Sequence, residues 1–257
     1  RRLKSFVHDS PPGRFAFTLS CAMGMPVAGT EKGAYIRTDT GWIQTLPETT
    51  YLRLLNVNPT GDRWLYGAVD EVGWLWRDGD GFSAERHLLP ELGNVYNSVA
   101  DPDDGVWLEL GSSRVAHLRV ENNRPIVDIF DQRNDLPEGW VQCFEFDGII
   151  RFNVGGQIMR FNRAARRFER DTAFHERFPD LRDIIGRPAR DAWGRIWIAA
   201  NGRVQVLDDS DGTLRNLNEK MPAGLMPFFF TFEDNGVVWM HADRRFARYD
   251  PSLSTPK

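Results

Sequence analysis

The stretch Asp191-Ala-Trp-Gly194-Arg-Ile-Trp197 contains a pattern that occurs six times in this chain: a glycine followed within three residues by a large apolar residue. The apolar positions are Val27, Trp64, Trp107, Ile150, Trp197 and Trp239. They lie 37, 43, 43, 47 and 42 residues apart, with a mean spacing of 42.4 residues. A fixed period of this length is the sequence signature of a repeat architecture.

Two further sets of residues recur with the same period. Prolines recur at Pro12, Pro47, Pro90, Pro137, Pro179 and Pro222. A run of alternating apolar and polar residues follows each glycine pattern, as in Arg203-Val-Gln-Val-Leu207 and Arg245-Phe-Ala-Arg-Tyr249. Period-2 alternation between turn residues indicates β-strands, and no helical period of 3.6 residues is sustained over three turns.

The repeats predict an all-β fold, a β-propeller of six four-stranded blades that occupies residues 1–257 as a single domain. Each blade should contain an apolar inner strand before the glycine, the Trp strand, the alternating strand and a polar outer strand. Examples of inner and outer strands are residues 15–20 and 213–217. The N-terminal segment 1–6 reads like an outer strand, so we expect it to complete the last blade and close the ring.

The composition excludes several functional classes. A net charge of -4, a pI near 5.8 and the absence of a long basic run argue against nucleic-acid binding. The longest apolar stretch, residues 226–232, is far shorter than the roughly 20 residues needed to cross a bilayer. The five histidines and two cysteines show no metal-ligand spacing, and no phosphate-binding glycine loop or catalytic serine motif is present, so we expect no metal, cofactor or catalytic residue.

Several segments resemble the repeat of the two-component regulator propellers. The fifth repeat carries it most clearly, from Asp191 through Gly194 and Trp197 to Asp208, and the sixth carries it from Glu233 to Asp250. The Gly-Thr at 29 and 30, and Leu-Pro at 46 and 47, 89 and 90, and 136 and 137, are also similar to that family's pattern.

The resemblance implies a non-enzymatic sensor domain of a bacterial signal-transduction regulator, located in the periplasm or outside the cell. The expected ligand is a small molecule or a carbohydrate, with a homodimer as the responding assembly, and any kinase activity would belong to a part of the protein outside this chain. The family's sensors usually have seven blades, whereas this chain has six repeats. Two alternatives stay open: a propeller lyase or glycoside hydrolase, and a protein-interaction scaffold without a small ligand.

Loops at one mouth of the predicted ring supply the candidate ligand-binding residues. Trp140 is not one of the recurring apolar positions. It lies in a loop that leads into an inner strand, and it is a candidate for stacking on a ligand. Polar side chains that follow the Trp strands could hydrogen-bond a sugar or a small acid. They are Glu31, Lys32, Asp70, Glu71, Asn153, Asn201, His241, Asp243 and Arg244.

Other recurring residues are expected to have structural roles. Trp64, Trp107, Trp197 and Trp239 should occupy equivalent buried places between blades. Recurring acidic or amide residues before the repeat glycine are expected to stabilise turns rather than to act as catalytic acids. Cys21 and Cys143 fall in inner strands of the first and fourth repeats, so both should remain thiols.

Overall fold

The computed structural model describes residues 11–13, 16–22, 25–47, 53–54, 63–122, 124–208, 213–216, 225–242 and 245–250. Within this part of the chain the regular secondary structure is almost entirely β-strand, and the strands form six small antiparallel sheets. Five of these sheets have four strands and the sixth has three. Each sheet consists of strands that are consecutive in the sequence, as the repeats predict.

The strands follow one another in chain order within every sheet. Sheet 1 contains β1 (Ala16–Ala22), β2 (Met25–Thr30), β3 (Gly33–Thr38) and β4 (Gly41–Pro47). Sheet 2 contains β5 (Arg53–Leu54), β6 (Arg63–Ala68), β7 (Glu71–Asp78) and β8 (Gly81–Leu88). Sheet 3 contains β9 (Asn97–Ala100), β10 (Val106–Glu109), β11 (Val115–Glu121) and β12 (Arg124–Phe130).

The second half of the chain repeats this arrangement. Sheet 4 contains β13 (Val141–Phe146), β14 (Ile149–Val154), β15 (Gln157–Asn162) and β16 (Arg167–Arg170). Sheet 5 contains β17 (Ile185–Arg190), β18 (Ile196–Ala200), β19 (Arg203–Asp208) and β20 (Thr213–Asn216). Sheet 6 contains β21 (Phe229–Phe232), β22 (Val238–Ala242) and β23 (Arg245–Tyr249). A 3-10 helix (Gln132–Asn134) precedes sheet 4, and a six-residue helix, α1 (Thr172–Arg177), follows it.

The chain divides into two compact units. Unit 1 comprises Arg1–Ala100, Asp104–Leu110 and Ala116–Asp128, and it contains sheets 1 and 2 and most of sheet 3. Unit 2 comprises Asp101–Asp103, Gly111–Val115 and Ile129–Lys257, and it contains sheets 4, 5 and 6.

Apolar side chains fill the space between successive sheets inside each unit. In unit 1, Val27 and Ile36 of sheet 1 share a buried cluster with Tyr66 and Leu75 of sheet 2. In unit 2, one cluster joins sheets 4 and 5 and includes three phenylalanines of sheet 4 and its following helix: Phe144, Phe146 and Phe174. A second cluster in this unit joins Trp197 of sheet 5 to Val238 and Met240 of sheet 6. Burying these faces is what a small sheet cannot do alone.

The hairpin registers correct the predicted Trp column. Trp197 lies three residues before the last residue of its strand and pairs with Val206 of the next strand. The same register position is occupied by Val27, Leu65, Arg151 and Trp239. The prediction of equivalent places was therefore wrong for Trp64. Like Ile150 in sheet 4, Trp64 lies one residue away from this position and, because side chains alternate along a strand, on the opposite face.

Burial also differs among the four tryptophans. Trp107 and Trp197 are fully buried, as predicted, whereas Trp64 is only partly buried against the cluster between sheets 1 and 2. Trp239 is 37 % exposed, which contradicts the prediction. It lies on the face of β22 opposite to Val238 and Met240, the residues that pack against sheet 5.

The acidic residues before the repeat glycines do stabilise turns, as predicted. The carboxylate of Asp191 accepts hydrogen bonds from the backbone N–H groups of Trp193 and Arg195 and from Nε1 of Trp197 at 2.9 Å. Glu233 accepts a corresponding bond from Nε1 of Trp239 at 2.6 Å. Asp191 therefore fixes both its turn and the Trp six residues later, whereas the carboxylate of Glu233 accepts from the side chains of Asn235 and Trp239.

Some sequence predictions fall outside the described residues. The N-terminal segment 1–6, expected to close the ring, is one example. The side chain of Cys21 is another, although its backbone lies in β1. Cys143 is a buried thiol, consistent with the prediction for that residue.

Candidate functional site

A cleft of about 380 Å³ opens in unit 2 where the first strands of sheets 4, 5 and 6 begin. Antiparallel pairing brings the start of β13 beside the end of β14 and its hairpin turn, so residues from both ends of this hairpin meet at one edge. The lining residues are Trp140, Gln142, Asn153, Gly155, Gly156, Ile184, Ile185, Gly186 and Phe228.

Two aromatic side chains form exposed walls of the cleft. Trp140 is 48 % exposed and Phe228 is 40 % exposed, although both are large apolar residues. Trp140 is anchored through its backbone, which forms a β-bridge with Ser112. The backbone N–H of Phe228 donates to the carbonyl of His241 at 2.8 Å. Fixed backbones under exposed rings favour stacking on a flat ligand at little entropic cost.

The floor of the cleft is formed by closely packed backbone. Gly186 has φ +70°, and a Cβ placed on it would lie 2.2 Å from the carbonyl oxygen of Phe228. Gly156 has φ +90°, and its Cβ would lie 3.2 Å from Cα of Asp183. Glycine at these positions lets neighbouring strands approach and leaves the cleft without side chains there.

Asn153 lies in the cleft but is a structural brace. Its side chain is buried, and Nδ2 donates to the carbonyl oxygens of Ile184 and Gly186, each at 2.9 Å. Its Oδ1 accepts from the backbone N–H of Gly156 at 3.1 Å. The amide thereby ties the hairpin of sheet 4 to the start of sheet 5.

Gln142 is a lining residue that the sequence reasoning missed. It is the direct cross-strand partner of Asn153, and its Oε1 lies 3.4 Å from Nδ2 of Asn153. A signal was present in the sequence, because Gln142 is a polar residue between Val141 and Cys143 in an otherwise apolar run.

Two other predicted residues of unit 2, Asn201 and His241, lie outside the lining of this cleft. Asn201 braces a hairpin turn: its Oδ1 accepts from the backbone of Arg182 at 2.9 Å and its Nδ2 donates to the carbonyl of Asp180 at 2.6 Å. His241 is partly buried, with Nε2 lying 3.3 Å from the hydroxyl of Thr231. Asp243 and Arg244 fall outside the described residues.

The candidates in unit 1 lie at the hairpin turns between the second and third strands of sheets 1 and 2. Glu31 and Lys32 form one turn, and the carbonyl of Lys32 accepts a hydrogen bond from Nε2 of Gln44 at 2.8 Å. Asp70 belongs to the other turn, where its backbone N–H donates to the carbonyl of Gly93 at 2.9 Å. These residues are not part of the cleft lining.

Glu71 is buried at the start of β7 and forms a charge pair with Arg86, with an N–O distance of 2.5 Å. Burial and, secondarily, the nearby negative charge of Glu71 raise the pKa of the Tyr66 hydroxyl well above its ordinary value. Arg86 thereby gives the buried carboxylate of Glu71 a partner of opposite charge, and the role of Glu71 as a ligand contact stays a prediction.

The cleft carries no titratable side chain among its lining residues. Its polar groups are two side-chain amides, the indole N–H of Trp140 and backbone. The described part of the chain also contains no cluster of three or more His, Cys, Asp or Glu placed to hold a metal ion. In the same residues, no helix has the length and apolar character that crossing a membrane requires.

Solved structures with the same architecture include an extracellular domain of the putative hybrid two component system BT4673 from B. thetaiotaomicron. It is 15 % identical, with a TM-score of 0.68 over 97 % of this chain and 34 % of that chain. The chain shares the fold of the part of that domain that it covers. The extracellular domain of the putative hybrid two component system BT3049 from the same organism is 10 % identical, with a TM-score of 0.57 over 85 % of this chain and 30 % of that one.

An enzyme has a similar structure as well. Virginiamycin B lyase from Staphylococcus aureus is 11 % identical, with a TM-score of 0.55 over 92 % of this chain and 84 % of the lyase. No protein-family model matches the sequence, and no curated protein matches it either.

The similar structures confirm the sequence resemblance to two-component regulator propellers at the level of the fold. The chain spans about a third of the length of the BT4673 and BT3049 domains. At these identities the likeness concerns architecture, so function has to be argued from the cleft.

Proposed function

We propose that this chain is a ligand-sensing, extracytoplasmic domain of a bacterial two-component regulator, and that it binds a small neutral ligand without transforming it. The ligand class is a carbohydrate or a molecule with a similar flat apolar face and hydroxyl groups. The likeness to extracellular domains of hybrid two-component systems supports the sensor role and the location.

The composition of the cleft carries this proposal. Trp140 and Phe228 offer exposed aromatic surface, and Gln142 places an amide group beside it, while Asn153 braces the strands behind it. A pyranose ring has one apolar face and a rim of hydroxyl groups, which matches aromatic walls combined with an amide group. A charged ligand would lose its hydration without gaining a charged partner from the lining.

The architecture within the proposal is a six-bladed propeller over residues 1–257, closed by the N-terminal segment. Its support is the period of 42.4 residues and the six sheets of consecutive strands. A sensor of this kind would respond by population shift, with the liganded state changing its packing against a second copy of the chain.

The lining of the cleft favours binding over catalysis. Glycoside hydrolysis ordinarily uses a pair of carboxyl groups, and proton transfer in a lyase uses a positioned acid or base. The nine lining residues include none of these groups. The likeness to virginiamycin B lyase nevertheless makes a turnover assay part of the test.

The test is a thermal-shift screen of the chain against neutral mono- and oligosaccharides, followed by calorimetric titration. A ligand present at 100 times its Kd should stabilise the protein by about 2.7 kcal/mol. The variant Trp140→Ala should bind at least tenfold more weakly. Trp193→Ala, which removes a tryptophan that is 54 % exposed outside the cleft, should bind as the unmodified protein does.

The outcomes separate the functions. Stabilisation that depends on Trp140, with the sugar recovered intact by mass spectrometry, supports the proposal. Recovery of cleaved or eliminated products would overturn its non-catalytic part. Equal loss of binding in Trp140→Ala and Trp193→Ala would overturn the assignment of the cleft.

A further inference from the structure

The hydrogen bonds around Asn153 fix the orientation of its side-chain amide. Nδ2 faces two backbone carbonyl oxygens, those of Ile184 and Gly186, and Oδ1 faces the N–H of Gly156. Rotating the amide by 180° would place its oxygen against two carbonyl oxygens and its NH2 group against an N–H. Since all three contacts would then be repulsive, only one orientation is possible.

The orientation of Asn153 determines that of Gln142. The two residues are direct cross-strand partners, so their side chains lie on the same face of sheet 4. The atom of Gln142 that lies beside Nδ2 of Asn153 is Oε1, at 3.4 Å. A flipped Gln142 would bring two NH2 groups together, and the oxygen therefore belongs on the Asn153 side.

This arrangement leaves the NH2 group of Gln142 available to a ligand. Among the described residues, Nε2 of Gln142 has no hydrogen-bond partner, and the side chain is partly buried at the cleft wall. Asn153, by contrast, uses its oxygen and both its donor hydrogens within the protein, and one of these hydrogens is shared between a backbone carbonyl and Oε1 of Gln142. The cleft thus presents one oriented side-chain amide donor between aromatic walls.

We infer that Gln142 is a specificity-determining residue of the cleft, and that its Nε2 donates a hydrogen bond to an acceptor oxygen on a neutral ring-shaped ligand. The inference rests on the proposed function, because it names the ligand group that the same cleft recognises. The ligand class is a sugar that carries a hydroxyl or ring oxygen at the edge of its apolar face. A site built to donate to such an oxygen discriminates against analogues that lack it.

The experiment compares Gln142→Ala and Gln142→Glu with the unmodified chain, by calorimetric titration with the neutral oligosaccharide that gives the largest thermal shift. Gln142→Ala removes the donor and should weaken binding about 3- to 10-fold, as expected for one neutral hydrogen bond. Gln142→Glu keeps the shape and the oxygen facing Asn153 but places a carboxylate oxygen where the donor was. Since a carboxylate oxygen cannot donate to an acceptor oxygen of the ligand, we expect Gln142→Glu to weaken binding at least as much as Gln142→Ala does.

Two controls make the comparison specific. Gln157→Glu applies the same chemical change to an exposed residue of sheet 4 outside the cleft, and it should leave the affinity unchanged. A deoxy analogue that lacks the recognised hydroxyl should bind the unmodified protein as weakly as the parent sugar binds Gln142→Ala, and should lose little further affinity in that variant.

Failure of the inference is distinguishable from failure of the proposed function. Unchanged affinity in Gln142→Glu, with binding still dependent on Trp140, would overturn the role of Gln142 and leave the cleft as the binding site. Tighter binding in Gln142→Glu would show that the ligand presents a donor and would also overturn the inference. If the unmodified protein binds no neutral sugar at millimolar concentration, both proposals fail.

Discussion

Removing Arg151 should destabilise unit 2 more than removing any exposed cation of sheet 4. The guanidinium lies at the register position that Trp197 occupies in sheet 5, and its Nε donates to Oδ2 of Asp171 at 2.7 Å. Both side chains are almost fully buried, with exposures of 7 % and 3 %. The Arg151 guanidinium also lies 5.3 Å from the ring centre of Phe146 and 5.6 Å from that of Phe174.

The expected cost follows from the charge that is left behind. Breaking a buried ion pair by removing one partner typically costs about 3–5 kcal/mol, because the remaining charge loses its partner in a low-dielectric interior. Arg151→Met keeps much of the apolar volume and leaves the carboxylate of Asp171 with its hydrogen bond from the N–H of Phe174. We therefore expect a loss of about 3 kcal/mol in the free energy of unfolding.

Asp171→Ala should cost more, because Asp171 also caps α1. Its Oδ1 accepts from the backbone N–H of Phe174 at 3.0 Å, and loss of an N-cap costs about 1 kcal/mol. The double variant Arg151→Met/Asp171→Ala should be more stable than the sum of the two single losses predicts, since it leaves no unpaired buried charge.

Urea denaturation followed by tryptophan fluorescence measures these differences. Arg160→Met is the matched control: Arg160 is the cross-strand partner of Arg151, and its pair with Glu169 is about half exposed and spans 3.6 Å. An exposed pair contributes about 0–1 kcal/mol. Equal losses in Arg151→Met and Arg160→Met, or strict additivity in the double variant, would refute the reasoning.

Three further predictions concern the core, the cleft floor and a buried tyrosine. Trp197→Ala should lower the free energy of unfolding, measured by urea denaturation, by about 3–5 kcal/mol. Trp239→Ala should lower it clearly less, because Trp239 is 37 % exposed, and equal losses in the two variants would contradict this order. Gly186→Ala should lower the melting temperature and abolish ligand-induced stabilisation, because its Cβ would lie 2.2 Å from the carbonyl oxygen of Phe228; a wild-type thermal profile would show that the floor is not closely packed. Burial raises the pKa of the Tyr66 hydroxyl, so the folded state keeps the hydroxyl proton as the pH rises past 10. The unfolded chain loses this proton first, and the free energy of unfolding should therefore fall above that pH. Tyr66→Phe should reduce that alkaline loss in denaturation curves measured between pH 9 and 11, and an unchanged loss would assign it to other groups.

The sequence predicted the strands closely because the signals for strands are local. The run Arg245-Phe-Ala-Arg-Tyr249 forms β23 with the same limits, and Gln157-Ile-Met-Arg-Phe161 falls within β15. Alternation of side chains and the turn residues that bound them act over a few residues, so they are readable without the fold. The turn role of Asp191 was readable for the same reason.

The facing of individual side chains was decided by the tertiary structure. Trp64 and Trp197 look equivalent in a column of sequence, yet their hairpin registers differ by one residue and the two rings lie on opposite faces of their sheets. A difference of one residue is hard to detect from sequence spacing, yet it turns the side chain to the other face of the sheet. Arg151 occupies the position that a tryptophan has in sheet 5. Its buried role depends on its contacts with Asp171 and Phe174, which only the fold brings together.

The sequence by itself determined a six-fold repeat of strands and pointed to Trp140 and Asn153, which line one cleft in unit 2. The roles within that cleft depend on the tertiary structure. Asn153 proved to be a brace, because the backbone carbonyls that it binds belong to the next sheet, more than 30 residues away in the chain. The orientation of Gln142 follows from that brace, since hydrogen-bond direction is set by partners that only folding brings together.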